Sequence, residues 1–192
     1  MPLRQKKTVT LVLGGARSGK SHYAQSLATA FPRVIYMATA RRSDAELRAK
    51  IARHRRERPS AWKTLEVTTG LDRVLREKCG QADLVLIDCL TFYLANVMGW
   101  KRGEPRAVSS HLQSVCKAIR AAGASVVIVS NEVGSGVVPA YRSGREFRDL
   151  LGQFNQLLAQ IADRVILMVA GLPLTVKEVE RARNTPSRKR KT

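Results

Sequence analysis

The sequence lacks both a long apolar run and a set of paired cysteines. No stretch approaches the roughly 20 apolar residues that a helix needs to cross a bilayer. The 192 residues include three cysteines, Cys79, Cys89 and Cys116, which are widely spaced and form no Cys-x-x-Cys or Cys/His pattern. Neither a disulfide framework nor a zinc site is indicated. The residues before Val9 lead into an apolar segment and do not form a cleavable signal, so we expect a cytoplasmic protein with no membrane span.

Acidic and aromatic residues are also scarce. The chain has 15 Asp and Glu against 34 Lys and Arg, which gives a net charge of +19, and only 5% of its residues are aromatic. The positive charge suggests anionic partners such as nucleotides or phosphorylated substrates. Surfaces that bind nucleic acid usually interleave basic residues with aromatic side chains that stack on bases. The shortage of aromatics therefore argues against a nucleic-acid partner.

The basic residues concentrate in two regions of different character. Residues 181–192 lack apolar periodicity, and we expect 178–192 to form a solvated, disordered tail. Residues 41–58 lie within a helical pattern, so their side chains should have a defined geometry. The second region is the better candidate for function.

A phosphate-binding loop is the most informative feature that the sequence contains. The apolar segment 9–13 leads directly into Gly14-Gly15-Ala16-Arg17-Ser18-Gly19-Lys20-Ser21, and a helical pattern follows. In such a loop the glycines let successive backbone N–H groups point at the β-phosphate, the lysine reaches the β and γ oxygens, and the serine ligates Mg²⁺. The helix N-terminus adds partial positive charge to the same site. We therefore predict that the protein binds a nucleoside triphosphate, with Lys20 as a catalytic residue.

Apolar runs typical of strands alternate with helical patterns along the chain. Strands are predicted at 9–13, 34–38, 84–88, 125–130 and 165–169, and helices at 20–30, 44–56, 71–78, 108–122 and 145–162. This alternation predicts an α/β fold like that of P-loop NTPases, with a mostly parallel sheet and helices on both faces. With 44% hydrophobic residues, residues 1–177 should form a single domain.

Two further constellations complete the candidate site. The strand 84–88 ends in Asp88, which could hold Mg²⁺ opposite Ser21. In the predicted helix 44–56, His54 falls on the apolar stripe and is surrounded in sequence by arginines. From the residues alone, His54 could be a half-buried structural histidine, or a nucleophile whose neutral form is favoured by the nearby positive charges. His22 and His111 are weaker candidates.

Six motifs in this order resemble one enzyme family. They are residues 14–21, Tyr36-Met37-Ala38-Thr39-Ala40, the segment from His54 through Arg58, Pro59 and Trp62 to Glu66, Asp88-Cys89-Leu90-Thr91, the segment from Asn131 to Pro139, and the segment from Phe147 to Gln156. Together they resemble the bifunctional adenosylcobinamide kinase/adenosylcobinamide-phosphate guanylyltransferase family of cobalamin biosynthesis. The likeness extends from Val9 to about Lys177.

The resemblance implies two reactions in one protein. Adenosylcobinamide is phosphorylated with ATP or GTP, and GMP is then transferred from GTP to that phosphate through a guanylyl-histidine intermediate, giving adenosylcobinamide-GDP and pyrophosphate. The histidine at the matching position is His54. The resemblance also implies Mg²⁺ as cofactor and a homotrimer in which a neighbouring subunit completes the site.

The resulting set of site residues has three parts. Catalysis is assigned to His54 and Lys20, and metal binding to Ser21 and Asp88. Nucleotide contacts are expected from residues 14–21 and from Ala38, Thr39, Ala40, Glu57, Arg58, Pro59, Ser60, Glu66 and Asp88. Among the arginines, Arg58 is the first choice for stabilising the departing pyrophosphate. Glu66 could accept the N1 and N2 protons of guanine, or be a surface strand residue.

Two alternatives remain open from the sequence. A P-loop small-molecule kinase without guanylyl transfer would need only Lys20, Ser21 and Asp88, and a basic nucleic-acid-binding ATPase would use the arginines and the tail. No residue stands out as the base for the acceptor hydroxyl, for which Asp88 and Asp44 are guesses.

Overall fold

The computed structural model describes residues 7–41, 58–100 and 104–179, which contain seven strands and five α-helices. The strands are β1 (Val9–Gly14), β2 (Val34–Ala38), β3 (Lys63–Glu66), β4 (Leu84–Asp88), β5 (Ser125–Val129), β6 (Arg164–Val169) and β7 (Leu172–Glu178). The helices are α1 (Lys20–Ala28), α2 (Leu71–Lys78), α3 (Leu90–Trp100), α4 (Pro105–Arg120) and α5 (Arg142–Ile161).

The strands form one sheet in the order β3-β2-β4-β5-β1-β6-β7. Every neighbouring pair from β3 to β6 is parallel, and β7 runs antiparallel to β6 at one edge. The predicted mostly parallel α/β sheet is therefore confirmed. Because parallel strands share a direction, the loops that follow β1, β2, β4 and β5 all lie at one edge of the sheet, which is where ligands bind in this architecture.

The central strands are apolar on both faces because both faces are covered. In β4, Leu84 and Leu86 belong to one buried cluster, while Val85 and Ile87 belong to the other. Helices α2, α3, α4 and α5 contribute to the cluster on the Val85 face, and α1 packs Ala24 and Ala28 on the Leu84 face. Burial on both faces explains why the strand sequence is continuously apolar rather than alternating.

Three predicted elements match the structure residue for residue, and the others differ at their ends. The matching elements are 34–38, 71–78 and 84–88. The helix predicted at 20–30 ends at Ala28, the one at 108–122 spans Pro105–Arg120, and the one at 145–162 spans Arg142–Ile161. The strand predicted at 125–130 ends at Val129, while β1 and β6 each gain one residue at Gly14 and Arg164. The helix predicted at 44–56 lies outside the described residues.

Three elements were missed, each for a physical reason. Helix α3 buries Leu90, Tyr93, Leu94 and Val97 along one stripe. Phe92 lies on another side and packs against the second core cluster, so the sequence shows little contrast between an apolar and a polar face. Strands β3 and β7 lie at the two edges of the sheet and are largely exposed, and β7 also contains Pro173. Exposed edge strands carry no buried pattern and resemble loops in sequence.

None of the described helices combines the length and apolar character needed to cross a membrane. Strand β7 ends at Glu178, one residue beyond the predicted domain boundary at 177.

Candidate functional site

The phosphate loop, residues 14–21, joins the end of β1 to the start of α1. The backbone turns through positive φ angles at Gly14 (149°), Arg17 (57°) and Gly19 (90°). Helix α1 then begins at Lys20, so its first N–H groups face the loop. Lys20 is 7% exposed, and its Nζ donates to the carbonyl oxygen of Gly15 at 2.5 Å. The loop therefore has the local geometry that the sequence predicted for a phosphate cradle.

Packing from β6 and β7 fixes the position of this loop. A Cβ atom on Gly14 would lie 2.6 Å from the Met168 carbonyl oxygen and 2.6 Å from Ser18 Oγ, so no larger residue fits there. The two-residue turn between β6 and β7 has positive φ at Ala170 (50°) and Gly171 (85°), as in a type I′ hairpin. Gly171 donates its N–H to the Ser18 carbonyl at 3.2 Å. The hairpin thus braces the loop from one side.

Asp88 meets the phosphate loop at Ser21. Ser21 Oγ donates to Asp88 Oδ1 at 3.3 Å. Side chains of a strand alternate between the two faces of the sheet. Asp88 lies two residues beyond Leu86, so it is on the face that α1 covers. The hydroxyl and carboxylate oxygens are the hard ligands that Mg²⁺ prefers, and this ion usually takes its remaining ligands from substrate phosphates and water. The two residues therefore fit a shared Mg²⁺ site.

Tyr36 is a member of the site that sequence reasoning missed. Its hydroxyl donates to Asp88 Oδ2 at 2.7 Å, while the ring is 2% exposed. Burial raises the pKa of Tyr36 well above its ordinary value, and the negative charge of Asp88 adds to this effect. The phenol is therefore a neutral, permanent donor. Its sequence signal was weak because a tyrosine within an apolar strand is typical of a core residue.

Arg58, which is half-buried, contacts the ring of Tyr36. Its guanidinium carbon lies 3.4 Å from the centroid of the Tyr36 ring, which is a cation–π contact. Tyr36, Arg58 and Asp88 are called the Asp88 cluster below. Tyr36 thus contacts Arg58 through its ring and Asp88 through its hydroxyl, and Asp88 in turn contacts Ser21.

Thr39 is engaged within the protein. The residue is fully buried, its Oγ1 donates to the Cys89 carbonyl at 2.6 Å, and its own carbonyl accepts from Asn96 Nδ2 at 2.8 Å. The backbone of Ala38 accepts from Val67 N at 2.7 Å. Ala38 and Ala40 are partly buried on either side of Thr39. These contacts tie the ends of β2, β3 and β4 together, so this hydroxyl acts as a structural tie.

The remaining predicted residues lie at or near the β3 edge. Pro59 and Ser60 are exposed, and the Pro59 carbonyl accepts from Trp62 N at 3.1 Å in a turn before β3. Glu66 ends β3, is exposed, and lies beside Ala38 in the strand register.

His54 and Glu57 lie outside the described residues, so their roles stay predictions. Of the other histidines, His22 is exposed on α1, and His111 Nε2 lies 2.6 Å from the Tyr93 hydroxyl.

The turn after β5 adds a second group that sequence reasoning left without a role. Asn131 donates its N–H to Thr91 Oγ1 at 2.9 Å, and Asn155 Nδ2 donates to the Asn131 carbonyl at 3.0 Å. Glu132 donates its N–H to the Gly14 carbonyl at 3.0 Å. Asn155 is buried on α5 at 6% exposure, and a polar residue on an otherwise apolar helix face is the signal that could have identified this anchor.

Within the described parts of the chain, no three His, Cys, Asp or Glu side chains are grouped closely enough to hold a metal. Cys79, Cys89 and Cys116 are free and buried.

Sequence comparison identifies relatives over nearly the whole chain. A family model described as cobinamide kinase/cobinamide phosphate guanyltransferase matches residues 10–176. The bifunctional adenosylcobalamin biosynthesis protein CobU of Salmonella typhimurium is 38% identical over 178 residues, covering 87% of this chain and 98% of that protein. The bifunctional adenosylcobalamin biosynthesis protein CobP of Pseudomonas aeruginosa is 37% identical over 168 residues, covering 87% of this chain and 96% of that protein.

Comparison with solved structures identifies the fold. An ATPase from the type III secretion system of pathogenic bacteria superposes with a TM-score of 0.56 at 13% identity, covering 88% of this chain and 56% of that one. The ATPase EscN of enteropathogenic E. coli, solved with its central stalk EscO, also gives 0.56, at 11% identity, covering 85% of this chain and 42% of that one. At these identities the likeness supports the P-loop fold alone.

Proposed function

The chain belongs to the cobinamide kinase/cobinamide phosphate guanylyltransferase family, and from this premise we propose that one site at the carboxyl edge of its sheet performs both reactions. In the first reaction, a γ-phosphoryl group moves from ATP or GTP to the hydroxyl of adenosylcobinamide. In the second, GMP moves from GTP to the new phosphate, releasing pyrophosphate and leaving adenosylcobinamide-GDP. The observation that carries this proposal is the meeting of Lys20, Ser21 and Asp88 around one phosphate loop.

Phosphoryl transfer asks the protein mainly to position groups and to neutralise charge. The loop N–H groups and Lys20 would bind the β- and γ-phosphates. Ser21 and Asp88 would hold Mg²⁺, which when bound supplies neutralising charge to the phosphate oxygens. The buried Tyr36 hydroxyl supports this step by fixing the orientation of Asp88.

Guanylyl transfer needs a nucleophile, and we assign that role to His54 from the family membership. A neutral imidazole nitrogen attacks the α-phosphorus, the P–N bond forms, and the bond to the β-phosphate breaks as pyrophosphate leaves. An oxygen of adenosylcobinamide phosphate then attacks the same phosphorus, and the P–N bond breaks. Arg58 supports this assignment, because it follows His54 closely in the chain and its guanidinium lies on the ring of Tyr36, whose hydroxyl donates to Asp88.

The decisive experiment uses GTP labelled at the α-phosphate. Purified protein is incubated with α-³²P-labelled GTP and Mg²⁺, denatured, and tested for label in an acid-labile, alkali-stable bond. We expect label on the wild-type protein and on His22→Ala, which removes an exposed histidine of α1. We expect no label on His54→Ala, which should still transfer the γ-phosphate.

Two results would change the proposal. Label that survives in His54→Ala would place the covalent intermediate on another residue. A wild-type protein that transfers the γ-phosphate but never retains label would reduce the function to that of a P-loop kinase.

We also propose that the enzyme is a homotrimer, as the family resemblance implies. Support comes from the edge formed by β6 and β7, where Val169, Leu172 and Leu174 share one face according to the strand register. Their exposures are 55%, 71% and 57%, and a contiguous apolar face of this kind is typical of an interface. Light scattering should give three times the 21.3 kDa of one chain, and Leu172→Ser with Leu174→Ser should lower that mass. An unchanged mass in the variant would exclude this edge.

For location, we propose the cytoplasm. The three described thiols are free, and burial raises the pKa of Cys79, Cys89 and Cys116 to about 11 in each case. They therefore stay protonated at neutral pH and need no oxidising compartment. Cell fractionation that recovers the protein outside the cytoplasmic fraction would contradict this placement.

A further inference from the structure

The phosphoryl-transfer step needs a group that takes the proton of the acceptor hydroxyl. We propose that the carboxylate of Glu132 is this general base, an inference that rests on the proposed function. The argument comes from the strand order, from the contacts already made by Asp88, and from the hydrogen bonds around Glu132 itself.

Strand order places Glu132 next to the phosphate loop. Strand β5 lies between β4 and β1, and the chain continues alongside β1 after β5 ends. Ser130 N donates to the Val12 carbonyl at 3.0 Å, and Glu132 N donates to the Gly14 carbonyl at 3.0 Å. Gly14 is the residue at which the phosphate loop begins. The backbone of Glu132 is therefore in direct contact with the first residue of the triphosphate site.

Carboxylates follow or end two other parallel strands, and neither is as well placed. Glu66 ends β3, four strands away from β1, which at about 4.8 Å per strand is roughly 19 Å. Asp88 is near, but Oδ1 accepts from Ser21 at 3.3 Å and Oδ2 accepts from Tyr36 at 2.7 Å. Both of its oxygens already accept a hydrogen bond, and the residue is assigned with Ser21 to Mg²⁺, so it is not available to take the proton. Asp44, the other sequence guess, lies outside the described residues.

The surroundings of Glu132 hold its carboxylate in place and leave one oxygen available. Oε1 accepts from Gly134 N at 2.5 Å. Oε2 has no hydrogen-bond partner among the residues that the structure describes, and the side chain is partly exposed. Behind it, Asn131 is anchored to Thr91 and to the buried Asn155. A carboxylate on an anchored turn, with one oxygen directed by a backbone N–H, has the positioned geometry that general-base catalysis requires.

The step balances without any further reactant. The hydroxyl proton of the acceptor moves to Glu132 Oε2 as the hydroxyl oxygen bonds to the γ-phosphorus. The bond from that phosphorus to the β–γ bridging oxygen breaks, and its electron pair leaves on the nucleoside diphosphate. Glu132 then releases its proton to water. Guanylyl transfer makes no such demand, because its acceptor is an already ionised phosphate.

This difference between the two reactions defines the test. Glu132→Gln keeps an amide oxygen that can accept from Gly134 N but removes the basic carboxylate, whereas Glu132→Ala removes both. The kinase step is measured with adenosylcobinamide and γ-³²P-labelled ATP, and guanylyl transfer with GTP and adenosylcobinamide phosphate made beforehand. We expect kcat of the kinase step to fall about 100-fold or more in both variants, with the KM for ATP and the rate of guanylyl transfer close to wild type. Glu132→Asp should recover part of the kinase rate.

Other patterns would overturn the inference. If Glu132→Gln behaves as wild type while Glu132→Ala is impaired, the side chain only holds the turn through Gly134. If Glu132→Gln loses both reactions equally while its thermal unfolding is unchanged, the carboxylate serves nucleotide binding. If the wild-type protein carries out neither reaction, the proposed function fails and this inference fails with it.

Discussion

The phosphate loop and the Asp88 cluster meet at Ser21, but the chain builds them in different ways. The loop is one continuous stretch, residues 14–21, whose turns depend on the local backbone angles of Gly14, Arg17 and Gly19. The cluster joins Tyr36, Arg58 and Asp88 from separate parts of the chain. Its assembly depends on the register of β2 with β4, in which Tyr36 pairs with Leu86 and Ala38 with Asp88.

This difference shows which half of a site a sequence can reveal. A continuous loop has a fixed spacing that can be read directly, because each residue has its role in the same turn. A cluster assembled by strand pairing has no fixed spacing between its residues in the sequence, because the lengths of the segments that connect the strands can vary. The following variants test whether the two halves also differ in what they contribute.

Lys20→Ala should have the largest effect. Lys20 is the buried cation of the phosphate loop, and both reactions develop negative charge on the triphosphate. We expect kcat/KM to fall by at least about 100-fold for both reactions, measured with γ-labelled and α-labelled nucleotide. Lys117→Ala, which removes an exposed lysine of α4, should be neutral. Loss of only one reaction in Lys20→Ala would mean that the two reactions do not share the loop.

Two neighbouring glycines offer a sharper test of the loop. A Cβ at Gly14 would lie 2.6 Å from Met168 O and Ser18 Oγ, whereas a Cβ at Gly15 would meet nothing within 4 Å. Overpacking of this kind costs roughly 1 to 3 kcal/mol, so Gly14→Ala should lower the free energy of unfolding by about that amount. Gly15→Ala should leave it nearly unchanged. Urea denaturation of both variants measures the difference, and equal stabilities would show that β6 does not brace the loop.

Tyr36→Phe should have the smallest effect of the three, and its effect should be confined to the Asp88 cluster. The substitution keeps the buried ring and its contact with Arg58 but removes the hydroxyl that donates to Asp88 at 2.7 Å. Hydrogen bonds to charged groups contribute about 1.5 to 3 kcal/mol, and we expect a loss of unfolding free energy near the lower end of that range. A variant as stable as wild type in urea would indicate that Asp88 does not depend on this donor.

Much of the fold and part of the site could be predicted because the signals were local. The apolar runs of β2 and β4 and the amphipathic helix α2 were predicted with their bounds intact. The β6–β7 hairpin was missed because its turn is Ala170-Gly171, where an alanine adopts positive φ. The strongest hairpin signal, Asn or Asp before glycine, is absent there. Its contact with Ser18 could not be read from the sequence at all.

The sequence by itself determined the position of the phosphate loop, the parallel α/β architecture and the family. These follow from contiguous residue patterns, since a loop of fixed spacing and a run of apolar residues have the same physical meaning wherever they lie. Only the tertiary structure decided that Tyr36 and Arg58 join Asp88, that Thr39 is a buried tie, and that Glu132 adjoins Gly14. Those contacts arise from the strand order and register of the sheet, which bring together residues that are distant along the chain.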